Sequence, residues 1–258
     1  MSIDTLVLVC LVLLGLAVGS FLNVCIHRLP SRSSVVSPGS RCPSCGYALG
    51  WADNIPVVSY VMLRGRCRSC SAPISLRYPI VELLTMGVFV LNFHVFGAGP
   101  ILVPRLVLSC AMIVLFAIDL EHHLLPNVIT LPGVAMGFFF SLLFPPGPLA
   151  SAIGILVGGG SLWLIGEAYY RYAGQEGMGG GDVKMLAMIG AFLGWKLVLV
   201  TLVFSSIAGA VIGLLVILSR RGDLRYALPY GTFLALAGLI ASLYGDRIVA
   251  WYVGFYVV

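Results

Sequence analysis

Charge is what this chain has least of. Of its 258 residues 10% are charged and 60% are hydrophobic, against about 25% charged in a typical soluble domain, and mean hydropathy is +1.05. So little charge cannot cover a globule with polar surface, which excludes a soluble enzyme and makes lipid the main solvent. The charge present is also unevenly placed. Fifteen basic residues outnumber ten acidic ones for a net +5, yet seven of them lie between Arg28 and Arg77. They are not spread over a folded surface, so no nucleic-acid partner is expected, and their clustering reads as an orientation signal. A further absence is a basic segment ahead of the first apolar run, Thr5 to Ile26, whose positive charges follow it instead. That order argues for an uncleaved anchor with its N-terminus outside rather than a signal peptide.

Crossing the hydrocarbon layer takes roughly 17–25 mostly apolar residues. Besides the first run, spans are expected at about 80–97, 101–119, 128–144, 149–170, 183–195, 197–219 and 226–245. The fold class is therefore all-α and polytopic, with about eight transmembrane helices. Gly97-Ala98-Gly99-Pro100 and Pro145-Pro146-Gly147-Pro148 mark turns at membrane surfaces. The chain divides into a first helix (1–26), a polar Pro- and Arg-rich insert (27–79) and a transmembrane domain (80–258), whose apolar end, 248–258, is too short to span. With the N-terminus outside, the insert arginines, Arg171, Lys184, Arg220, Arg221 and Arg225 fall on the cytoplasmic side, and only Arg105, Lys196 and Arg247 fall outside. Gly15/Gly19 and Gly209/Gly213, small residues four apart, permit close helix contact.

Most acidic residues fall in loops or near span ends, where solvation explains them. Asp119, ending the third span, and Asp182, opening the sixth after Gly179-Gly180-Gly181, do not. The topology drawn from the basic residues alone puts both at the cytoplasmic ends of their helices, so they can meet although 63 positions (119 to 182) separate them. From Asp182 to Lys196 is 15 residues, about 22 Å of helix in a layer of about 30 Å. Asp182 then lies beneath the surface, where an ionisable group points to function; a plain helix cap is the alternative. Three entrances at this depth are broken: Gly179 to Gly181, Leu125-Pro126-Asn127 and Pro229-Tyr230-Gly231. Irregular backbone there implies a cavity. Gly179, Gly181, Pro126, Pro229 and Gly231 are its expected walls.

Two close carboxylates share a proton, and the pair can activate water and protonate a peptide carbonyl without a covalent acyl-enzyme. No other nucleophile stands out: Ser109, Ser141 and Ser161 lie in apolar runs without an obvious base. His122 and His123 need no role beyond that of interfacial polar residues. Acid and base roles are left unassigned between Asp119 and Asp182.

Cysteine carries the second pattern. Cys10, Cys25 and Cys110 sit in apolar runs, where a thiol is a small hydrophobe. Cys42-Pro43-Ser44-Cys45 and Cys67-Arg68-Ser69-Cys70 are two Cys-x2-Cys knuckles separated by 21 residues, the spacing of a tetrahedral zinc site. Two disulfides would also use four cysteines, but the loop is assigned to the reducing cytoplasm, where they are rare. Four ligands leave no open position, so one structural zinc would organise a small cytoplasmic zinc-ribbon-like insert. The arginines around it suit anionic membrane lipids.

Taken in order, Gly19-Ser20-Phe21-Leu22-Asn23-Val24, Arg28-Leu29-Pro30, the four cysteines, Tyr78-Pro79-x-x-Glu82, Asp119 with Leu125-Pro126-Asn127, Gly179-x-Gly181-Asp182 and Pro229-Tyr230-Gly231 resemble the bacterial type IV prepilin peptidases. These are intramembrane aspartic enzymes of the Gly-x-Gly-Asp kind. Thr232 departs from that pattern, where proline is expected. The resemblance implies a multi-pass protein of the bacterial inner membrane that cuts the leader from prepilin or pseudopilin partners on the cytoplasmic side. It also implies N-methylation of the new N-terminus with S-adenosylmethionine, for which no Gly-rich strand-to-helix signature is present. A presenilin- or signal-peptide-peptidase-type protease and an ion-coupled transporter are the rival readings. The cysteine insert and opening motif disfavour the first; the confinement of both acids to one depth disfavours the second.

Overall fold

The computed structural model describes residues 3–175, 178–219 and 229–255. Among these the regular structure is helical, the β pairing being two isolated bridges, Arg41 with Ala48 and Arg66 with Pro73. The chain forms two compact units, Met1–Leu102 and Val103–Val258.

The first unit contains α1 (Ile3–Arg28), a 3-10 turn (Trp51–Asp53), the short α2 (Val58–Met62) and α3 (Arg77–Phe96). The Gly15/Gly19 seam is what lets α1 meet α3: a Cβ on Gly15 would stand 2.7 Å from Met86 Cα, and one on Gly19 2.7 Å from Glu82 Cα. Only bare backbone permits that approach. Polarity had placed a boundary at residue 80, whereas compactness keeps α3 with α1 and the insert.

Between them the two knuckles fold alike. Cys42 N–H donates to Tyr47 O and Cys67 N–H to Ala72 O, while Gly46 and Ser71 return their amides to the Cys42 and Cys67 carbonyls. Gly46 (φ 73°) and Ser71 (φ 59°) occupy the same left-handed position after the second cysteine of each knuckle. Asp53 ties the two together: its Oδ1 accepts Arg68 Nε at 2.6 Å and its Oδ2 accepts the Tyr47 hydroxyl at 3.3 Å. The Arg68 guanidinium holds this carboxyl below its ordinary range.

The second unit comprises α4 (Leu102–His122), α5 (Asn127–Ser141), α6 (Pro148–Ala173), α7 (Gly180–Leu193), α8 (Trp195–Ser219) and α9 (Tyr230–Gly254). At its centre α7 buries nine of its 14 residues. Its apolar character all round is that of a helix enclosed by neighbours, here α5, α6, α8 and α9.

Eight helices thus occupy the eight expected segments, but six (α1, α3, α4, α6, α8 and α9) are long and apolar enough to cross a membrane. At 15 and 14 residues, α5 and α7 fall short of the roughly 20 needed for a crossing. The C-terminal end also differs from expectation. Instead of a separate apolar tail, α9 continues unbroken to Gly254, because Asp246 and Arg247 lie on an exposed side and no proline follows Pro229 within the helix, while Gly238 and Gly245 are buried inside it.

Candidate active site and metal centre

Three chain breaks converge in the second unit: the end of α4, the start of α7 and the start of α9. Leu125, in the break after α4, joins them by packing. A Cβ on Gly181 would stand 2.9 Å from Leu125 Cβ, and one on Gly231 would stand 2.8 Å from Leu125 Cδ1 and 2.9 Å from Asp119 Oδ2. A side chain at 181 would therefore press on Leu125, and one at 231 would displace Leu125 or the Asp119 carboxyl. At Gly180, by contrast, an added Cβ meets nothing within 4 Å, so the middle position of Gly179-x-Gly181-Asp182 is free.

Asp119 is 5% exposed and Asp182 9%, and the glycines beside them, Gly231 against the Asp119 carboxyl and Gly181 next to Asp182 in the chain, both pack on Leu125. Asp182 donates its amide to Gly179 O at 3.1 Å, and a Cβ on Gly179 would come within 3.3 Å of its Oδ2. Pro126 and Pro229, in extended backbone, are the N-caps of α5 and α9. Nearby, Lys184 donates to Asn127 Oδ1 at 2.9 Å and so ties α7 to the start of α5.

Sequence reasoning overlooked Thr232. Its amide donates to Asp119 Oδ2 at 2.7 Å and its hydroxyl to the same oxygen at 3.1 Å. The amide belongs to the first turn of α9, where N–H groups have no partner within the helix; a proline, expected at this position, offers neither donor. The available signal was a hydroxyl residue three positions after a helix-capping proline. Thr232→Val keeps shape and amide but removes the hydroxyl. It is expected to lower kcat for the reaction proposed below by about tenfold, the scale of one hydrogen bond to an ionised group, with Thr232→Ser restoring it. Steady-state kinetics on the three proteins checks this.

His122 and His123 are exposed. His122 lies 3.8 Å from Glu121, and the His123 amide caps the Asp119 carbonyl at 2.9 Å. Neither enters a ligand cluster. Glu176 lies outside the described residues, as do Arg220, Arg221 and Arg225.

Among the described residues, the one grouping of three or more His, Cys, Asp or Glu ligand atoms is that of Cys42, Cys45, Cys67 and Cys70, whose sulfurs all lie within 4.8 Å of one another. The Cys42–Cys70 and Cys45–Cys67 sulfur separations are 3.8 and 4.0 Å. A tetrahedron with metal–sulfur bonds of about 2.3 Å has edges of about 3.8 Å, so the donor set fits zinc. The amides of Cys45 and Ser44 draw the Cys42 thiol down to about 6. Cys70 is pushed up to about 12: the Ala72 amide pulls it down, but the Cys45, Cys67 and Cys42 thiols together with burial outweigh it. A divalent cation holding four thiolates removes that competition for protons.

Comparison with known proteins covers nearly the whole chain. Residues 13–96 match the bacterial peptidase A24 N-terminal domain and residues 106–214 the type IV leader peptidase family. A protein of Aeromonas salmonicida named prepilin leader peptidase/N-methyltransferase is 40% identical, over 93% of this chain and 91% of its own. Proteins of the same name from Pseudomonas aeruginosa and Xanthomonas campestris are 37% and 38% identical, the first over 95% of this chain and the second over 94%, and each over 93% of its own length. No solved structure matches.

Proposed function

The chain belongs to the type IV leader peptidase family, and from that premise we propose that it is a multi-pass membrane endopeptidase that removes the leader of prepilins or pseudopilins and then methylates the new N-terminus. The observation that carries the cleavage half is the convergence of Asp119 and Asp182, 63 positions apart (119 to 182), around Leu125 at three glycine- or proline-broken helix ends. One carboxylate takes a proton from water as it attacks the scissile carbonyl, and the protonated partner donates to the carbonyl oxygen. Collapse of the tetrahedral intermediate returns a proton to the leaving amine. Thr232 orients Asp119, while Gly181 and Gly231 let the helix ends close on Leu125.

An apolar cleft of about 390 Å³, walled by Leu162, Met178, Leu202, Gly209, Tyr230 and Phe233, reaches residues adjoining the starts of α7, which carries Asp182, and of α9, and suits an apolar peptide segment. Gly209 thus serves as a cleft wall, its Cβ position 3.7 Å from the Phe233 ring, rather than as a tight helix seam. The asymmetry of basic residues supports an inner-membrane orientation with this site and the cysteine insert facing the cytoplasm.

One zinc held by Cys42, Cys45, Cys67 and Cys70 would cross-link the two knuckles. The purified protein is then expected to carry about one zinc per chain, as structural four-thiolate sites do, and Cys67→Ala none. Equal zinc in both, measured by elemental analysis after reducing, chelator-free preparation, rejects the site.

Bound S-adenosylmethionine supplies an electrophilic methyl on a sulfonium, leaving a neutral thioether when an amine accepts it. The overall reading is tested by co-expression with a candidate prepilin. The pilin should lose its leader and gain the mass of one methyl group at the new N-terminus. Recovery of full-length prepilin beside normal levels of this protein would refute the cleavage half, and a cleaved but unmethylated pilin the methylation half.

A further inference from the structure

The cysteine insert is apolar on a face that packs against none of its own residues. On α2 the buried residue is Ser59, whose hydroxyl donates to Ala52 O at 2.9 Å and accepts the Ile55 amide at 2.9 Å. These bonds seat α2 on the 3-10 turn that carries Trp51. A separate face of α2 holds Val58, Val61 and Met62, at the i, i+3 and i+4 spacing of helical neighbours. Val61 is 66% exposed, Met62 77% and Trp51 84%. Single exposed apolar side chains need no explanation, but here three share one helix face and a tryptophan stands on the turn bonded to it.

A bond to a long apolar helix sets the level of this face. The Val57 amide, at the start of α2, donates to Glu82 Oε2 at 2.7 Å. Glu82 lies five residues (77 to 82) into α3, about 7.5 Å along its axis, and a helical side chain leans back toward the N-terminus. The start of α2 is thus level with the first turns of α3, where exposed Leu76 and Ile80 begin the apolar surface of that helix. Val57 itself has φ 61°, a left-handed conformation that a branched residue adopts only when its surroundings impose it.

The charge around this face has one sign. Between residues 5 and 118 the only acids are Asp53 and Glu82. Asp53 is taken up by Arg68 and Tyr47, and Glu82 is buried. Arg32, Arg41, Arg64 and Arg66 are exposed, the last two directly after α2. Apolar side chains and a tryptophan beside arginines, at the level where a spanning helix begins, are the features of a segment lying in the membrane interface.

We infer that the α2 face and Trp51 dock into the headgroup layer of an anionic phospholipid leaflet, with the neighbouring arginines on its phosphates. The zinc-folded insert then rests on the membrane rather than standing off in water. The inference uses the cytoplasmic orientation proposed above, since that leaflet carries the negative surface potential, but neither of the two activities.

The emission of Trp51 tests it. A full-length chain with Trp163, Trp195 and Trp251 changed to Phe keeps Trp51 alone, and subtracting the spectrum of Trp51→Phe from that of the wild type isolates the same signal without the triple change. Each protein is placed in nanodiscs of phosphatidylcholine with or without phosphatidylglycerol, and zinc content reports a folded insert. With phosphatidylglycerol present, bromines on the upper acyl chains, about 5–10 Å below the surface, are expected to quench Trp51 by about half, and aqueous acrylamide to quench it little. Val61→Glu combined with Met62→Glu changes only exposed side chains, so it should keep zinc while reversing both effects. Bromine quenching unaltered in that variant would overturn the α2 face as the docking surface. Equal bromine quenching without phosphatidylglycerol would overturn the anionic partner. A Trp51 open to acrylamide in every nanodisc would overturn docking altogether and leave the face to a protein partner.

Discussion

Asparagine at either Asp119 or Asp182 is expected to lower leader cleavage at least about a thousandfold, within the 10²–10⁴ range of general acid–base catalysis, with protein level and zinc content unchanged. Both side chains are nearly buried, yet each lies at a helix end, where the isosteric amide preserves volume and part of the hydrogen bonding. In Asp119→Asn the Thr232 amide and hydroxyl can still donate to the side-chain oxygen. What disappears is the ability to hold or release a proton. Because the two carboxyls act on one water and one carbonyl, losing either stops the reaction, and the double variant should be about as inactive as each single one rather than additively worse. Glu121→Gln is the comparison: it removes an exposed acid two positions from Asp119 and should cleave normally. Full cleavage by either asparagine variant at normal protein level would defeat the pairing.

Much of that site could be read from residue order. Basic residues placed the two acids at one depth without reference to any motif, and the cysteine spacing predicted a four-sulfur cluster that the structure closes to within 4.8 Å. The limits were equally physical. Thr232 looked like a neutral departure because its role depends on where α9 begins, and only that start aims the first-turn amide at Asp119. Leu125 was indistinguishable from other leucines until Gly181 and Gly231 were found packed against it. Gly15 and Gly19 revealed a seam without its partner, so α3 was grouped with the helices that follow it. Finally, α7 was expected to be one span among eight, because hydropathy registers apolar character without telling lipid contact from enclosure by other helices.

The tightest helix seam went unrecognised in the sequence, and it carries the second large effect: leucine at Gly154 or Gly190 is expected to abolish stable folding. A Cβ on Gly154 would press on the Gly190 carbonyl and stand 2.9 Å from the Gly194 carbonyl carbon, and a Cβ on Gly190 would meet the Gly154 carbonyl in turn. Both obstacles are backbone, so no rotamer change relieves them and α6 must separate from α7. Overpacking by even a methylene or two costs about 1–3 kcal/mol, and a leucine side chain adds several carbons, against a total stability of about 5–15 kcal/mol. Gly190→Ala should therefore lower the melting temperature measurably and Gly190→Leu should yield little folded protein. Gly160 is the control. Its Cβ position is open, and replacing a mid-helix glycine by alanine is worth about 0.5–1 kcal/mol in the stabilising direction, so Gly160→Ala should melt at or above the wild-type temperature. Since Asp182 rides on α7, any Gly190→Ala protein that survives purification should also cleave more slowly, through displacement of Asp182 from Asp119 rather than loss of either acid. A Gly190→Ala protein with wild-type melting and cleavage would show that α6 and α7 do not meet backbone to backbone.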